Sequence, residues 1–91
     1  MKIGKEIIKP FVHNDRVMSV CFSPVKMLLA SGSWDNTIRI WNVQEGSLHD
    51  LLQFDLEIFN SVCFSPNGKL IACGCEYGEN SIILWRVQDK K

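Results

Sequence analysis

The chain has 91 residues, with 10 Lys and Arg against 10 Asp and Glu, and no formal net charge. A chain of this size makes one small domain, and its core is marginal if it stands alone. Without net charge there is no long-range field to draw in nucleic acid or an anionic membrane, and neither is expected as a partner.

In chain order, residues 5–11 read as an outer strand, because Pro10 lacks an N–H and edge positions tolerate that loss. Residues 16–22 form the next strand. Val20 and Phe22 alternate, Val17 falls out of step with them, and a bulge near Met18 reconciles the two. Ser23-Pro24 stops the strand. Residues 27–33 and 37–43 read as two further strands. They are joined by Trp34-Asp35-Asn36, a turn rich in side chains that hydrogen-bond their own backbone. Residues 47–54 are a second outer strand, following Gly46 as the first follows Gly4. Strands over 59–64, 70–75 and 81–87 complete the chain. Pro66-Asn67-Gly68-Lys69 carries the Asn-Gly signal for a tight hairpin, and Tyr77-Gly78 lies in a longer turn. No segment shows a helical period.

These elements repeat. Val20-Cys21-Phe22-Ser23-Pro24 returns 42 residues later as Val62-Cys63-Phe64-Ser65-Pro66. The block ending at Trp41-Asn42-Val43 returns 44 residues later, ending at Trp85-Arg86-Val87. A period of about 40–45 residues made of strands is the signature of a propeller blade. The units divide at residues 1–46 and 47–91, each an outer strand plus one blade repeat. The expected fold is all-β: two four-stranded antiparallel blades per chain.

His13-x3-Val17-x2-Val20-x-Phe22-Ser23-Pro24, followed by Leu29-Ala30-Ser31-Gly32-Ser33-Trp34-Asp35-Asn36-Thr37-Ile38-Arg39-Ile40-Trp41, closely resembles a WD-repeat unit. The likeness spans roughly residues 5–88 and is eroded in the second copy. Asn42 and Arg86 stand where the naming dipeptide has Asp. The resemblance implies a β-propeller with a hydrogen-bonded set formed by His13, Ser31, Asp35 and Trp41. A buried carboxylate needs such partners. At the matching places the second copy has Asp55, Cys73, Glu79 and Trp85, so no working set is expected there. The resemblance also implies a protein- or peptide-binding face at Arg16, Met18 and Trp34, matched in the second copy by Ile58, Asn60 and Gly78.

His13, Ser31 and Asp35 invite comparison with a hydrolase triad, but in a WD-type blade they are scaffold groups. There is no nucleophile elbow, phosphate-binding loop or metal cluster, so no enzyme, cofactor or metal is expected. Cys73 and Cys75 share a strand face, but His13 and His49 sit at no ligand spacing to complete a zinc site. Cys21 and Cys63 are expected to be buried, apolar thiols. No apolar run reaches the roughly 20 residues of a membrane span. The first residues lack a signal-peptide core, so a cytoplasmic protein is expected.

Two blades cannot close a propeller, which typically has four to eight. The chain opens on an outer strand with no blade of its own and stops before a fourth strand for its last blade. The N-terminal strand of one copy is therefore expected to complete the last blade of the next. A homo-oligomeric ring of four or three chains follows, with four favoured. Two functions fit: an interaction scaffold, or an excised, reconstructed or designed propeller fragment whose only activity is self-assembly.

Overall fold

A computed structural model describes residues 10–54, 58–75 and 82–87. Among these, β1 (Val17–Phe22), β2 (Leu28–Ser33), β3 (Thr37–Asn42) and β4 (Ser47–Gln53) form one sheet, in the order β1-β2-β3-β4. A second sheet holds β5 (Phe59–Phe64), β6 (Leu70–Cys75) and β7 (Ile82–Arg86), in the order β5-β6-β7. All neighbours are antiparallel. None of the described residues is helical. The first sheet thus has the four strands of a blade. The second has three among the described residues, β5 to β7, the three that the second repeat was expected to supply to its own sheet. The strand that opens the second sequence unit, β4, pairs with β3 and closes the first sheet.

Local chemistry accounts for the joints. Val17 pairs with Ser33 and Ser19 with Gly32, so the irregularity at Met18 lets Val17 and Val20 share a face. The same shift recurs between Phe59 and Ser61. Ser23 Oγ accepts from the N–H groups of Val25 and Lys26, at 3.3 and 3.1 Å, and turns the chain after β1. Between β5 and β6 the turn differs from the tight two-residue form that Asn67-Gly68 suggested. Ser65 and Leu70 close a longer loop, and only Gly68 has a positive φ, of 73°. A type I′ turn needs that conformation at both central residues. Any side chain at Gly68 would also strike Val25, since a Cβ there falls 2.5 Å from Val25 Cγ2.

The core lies between the sheets. Leu28, Ala30, Ile38, Ile40 and Leu52 of the first sheet meet Phe59, Val62, Phe64, Ile71 and Cys73 of the second. Alternation in each strand sends these residues to one side. Each fully buried isoleucine contributes about 1.5–3 kcal/mol. Gly32 lets the sheets approach: a Cβ there would sit 3.0 Å from Val62 Cγ1 and 3.2 Å from Phe59 Cβ. Beside it, Ser19 Oγ accepts from the Val62 N–H at 3.2 Å. Cys21 lies against this core, half-buried. Cys63 is exposed, contrary to the sequence expectation. It holds the same register in the second sheet, but no described residue covers that side.

Candidate functional site

Four side chains on the far face of the first sheet are joined by hydrogen bonds. His13 Nδ1 lies 2.9 Å from Asp35 Oδ2, and His13 Nε2 lies 2.6 Å from Ser31 Oγ. Trp41 Nε1–H donates to the same Ser31 oxygen at 2.8 Å. The carboxylate can only accept, so the proton on Nδ1 points to Asp35. Ser31 O–H then donates to Nε2, and every donor in the row has an acceptor. Ser31 is 3% exposed, so this row of hydrogen bonds lies within the sheet's own packing, with the Ser31 oxygen shared between the imidazole and the indole.

Asp35 is the anchor. Its Oδ1 accepts from the Thr37 N–H at 3.0 Å and from the Thr37 hydroxyl, and its Oδ2 also accepts from the Asn14 N–H at 3.0 Å. Burial works against the charged carboxylate. The hydrogen bonds from Thr37, Asn14 and His13 outweigh it and hold the pKa down at about 2, against an ordinary 3.8. The residues Thr37 and Asn14 were not singled out in the sequence. Asp followed two residues later by Thr is an Asx-turn spacing, and that signal was available. Phe11 was also missed: it stacks on Trp41 with ring centroids 4.4 Å apart and planes 10° from parallel. Only Pro10 and Phe11 of the first outer strand lie within the described residues, and neither is in a strand.

In the second sheet, Cys73 holds the place of Ser31 and is fully buried. Burial, reinforced by Cys75, pushes its thiol up to about 12 from 9.0. Asp55, Glu79 and Gly78 lie outside the described residues. No group of His, Cys, Asp or Glu among the described residues could hold a metal ion.

Arg16 and Trp34 meet at one end of the first sheet, and Met18 stands at the bulge that follows Val17. The Arg16 guanidinium lies 4.9 Å from the centre of the Trp34 ring, and the Arg16 carbonyl accepts from the Trp34 N–H at 3.0 Å. Ser33 Oγ also donates to that carbonyl, at 2.7 Å. Arg16 and Met18 are exposed and Trp34 is half-exposed. The Trp34 indole N–H reaches Asn60 Oδ1 of the second sheet at 3.4 Å. Trp34 thus spans the seam between the sheets and does not stand free, while Ile58, the other described match, is half-buried.

The family described as "WD domain, G-beta repeat" matches residues 4–42 and 54–86. The chain belongs to this WD-repeat family. It is 37% identical over 79 residues to small ribosomal subunit protein RACK1y of Oryza sativa subsp. japonica, covering 86% of this chain and 22% of that protein. It is 39% identical over 67 residues to coronin-7 of Rattus norvegicus, covering 72% and 7%. It is 34% identical over 80 residues to the periodic tryptophan protein 2 homolog of Schizosaccharomyces pombe, covering 87% and 9%. The chain therefore spans less than a quarter of each of these WD-repeat relatives.

Proposed function

We propose that the chain is a non-enzymatic WD-repeat interaction module that takes a peptide or protein segment at Arg16, Met18 and Trp34. The observation that carries this reading is the Arg16 guanidinium held over the Trp34 ring, with Met18, two residues along the chain, exposed. A cation on an aromatic face, next to a flexible apolar side chain, is the kind of pair that forms an interface anchor. Its rigidity supports the reading: a backbone hydrogen bond fixes Arg16 and Trp34 to each other before any partner arrives. Binding to an immobilised peptide library, compared between the wild type and Trp34→Ala, tests it. Loss of the bound peptides by a variant that keeps the wild-type circular dichroism is expected. Equal binding by both proteins refutes it.

A second reading is favoured by the apolar outer faces of both sheets, where Phe22 and Ile82 are 65% and 75% exposed. In it the chains self-assemble into a ring of four or three, and residues 5–11 of one chain extend the second sheet of the next. Light scattering that returns three or four chain masses is expected on this reading. A particle of one chain, 10.4 kDa, refutes it.

A further inference from the structure

The seam inside the chain is asymmetric. On the first sheet it is built from Leu28, Gly32, Ile38 and Ile40, and on the second from Phe59, Val62, Phe64 and Ile71. Because the sequence repeats, each of these residues has a counterpart on an outer sheet face. On the first sheet Phe11 and His13 lie over the Trp41 and Ser31 part of that face and leave Val20 and Phe22 exposed, and on the second no described residue covers it. Val62 is 4% exposed and its counterpart Val20 is 59%; Phe64 is 7% and Phe22 is 65%. In the other direction, Ile38 and Ile40 are 0% exposed, while their counterparts Ile82 and Leu84 are 75% and 67%. One open face thus has the chemistry of one half of the existing seam, and the other open face has that of its opposite half.

Resting on the self-assembly reading, we propose that the face of Val17, Val20, Phe22 and Leu29 docks onto the face of Leu70, Gly74, Ile82 and Leu84 of a second copy, head to tail, in the register of the internal seam. The glycines define that register. Gly32 lies against Val62 and Phe59; the repeat maps those three onto Gly74, Val20 and Val17. A Cβ at Gly74 now meets only Ser61 Cβ, at 3.7 Å, so the space a neighbour would fill is open. Ser61 corresponds to Ser19, whose hydroxyl accepts from the Val62 N–H, and it would accept from the Val20 N–H of the second copy. On the receiving side a hollow of about 320 Å³, lined by Phe11, Val17, Val20 and Leu29 among others, is large enough for an aliphatic side chain. The two faces are unlike, so the contact is heterologous, and each added copy leaves one face of each kind open.

Two blocked variants test this. Val20→Asp puts a charge on the receiving face, and Gly74→Leu fills the space that Val20 would enter. Both positions lie outside the internal seam, so each variant is expected to keep the wild-type circular dichroism; Leu84→Asp replaces Gly74→Leu if it does not. By analytical ultracentrifugation the wild type is expected to sediment as a multimer and each variant alone as one chain. Mixed in equal amounts, the variants are expected to give a particle of two chains and no larger, since one intact face of each kind remains. If the wild type assembles but a folded variant keeps the wild-type mass, or the mixture stays at one chain, the proposed faces are wrong and self-assembly by another route stands. If the wild type is one chain at every concentration, the self-assembly reading itself falls.

Discussion

Replacing Asp35 with alanine removes the acceptor for four donors at once: His13 Nδ1–H, Asn14 N–H, Thr37 N–H and the Thr37 hydroxyl. Asn14 is exposed, and water takes over its bond. Thr37 is buried, and the His13 side chain is only 2% exposed. Each buried donor left without a partner costs about 1–3 kcal/mol before relaxation. The same hydrogen bonds also act on protonation. Holding the carboxyl at about 2 against an unfolded 3.8 corresponds to about 2 kcal/mol of stability at neutral pH. The expected loss for Asp35→Ala is therefore about 2–4 kcal/mol. Equilibrium urea unfolding, followed by tryptophan fluorescence at one protein concentration, measures it. Asp35→Asn keeps one acceptor oxygen and is expected to lose about half as much, which keeps the test readable if alanine unfolds the chain. The pH dependence has a fixed sign. A depressed carboxyl stabilises above its unfolded pKa, so the advantage over Asp35→Asn fades as pH falls from 3.8 towards about 2. Glu79→Ala, at the matching place in the second repeat, is expected to cost much less, because Cys73 and Asp55 cannot form the same row. An equal loss at both sites, or a loss below about 1 kcal/mol at Asp35, refutes the reasoning.

Native alkylation at pH 8 should modify exposed Cys63 well before Cys73, whose buried thiol sits at about 12, and denatured chain should titrate as four free thiols; mass spectrometry of timed samples reads both results. Gly32→Ala should lower stability by about 1–2 kcal/mol, because its Cβ crowds Val62 and Phe59, whereas Gly74→Ala should be near neutral to the fold of the single chain; paired urea curves decide it.

Two strands begin and end where their residue pattern does: Phe59–Phe64 and Leu70–Cys75. The bulge at Met18 was legible because Val17 and Val20 break alternation, and only an extra residue puts both on one face. What alternation could not tell is whether a face is covered. Cys21 and Cys63 are identical in local sequence, yet only one has a sheet against it. The hydrogen-bonded row at His13 came from resemblance, since its members are spread from residue 13 to 41 and no local rule links them. Thr37 was legible from its spacing to Asp35. The Phe11–Trp41 stack and the Trp34–Asn60 contact depend on where distant segments come to rest, which short-range pattern does not encode.

The position of Ser19 against Val62 has a consequence for the order of folding. Those two residues are 43 apart in the chain, whereas each sheet is assembled from hairpins between successive strands. The entropy of closing a long loop falls on the seam and hardly at all on the sheets themselves. Each sheet can form as a nearly local structure, and their docking is the late, non-local event. Protection of amide protons should follow the same division: N–H groups in the middle of β2 and β6 outlast the Val62 N–H, which is held across the seam by one serine hydroxyl.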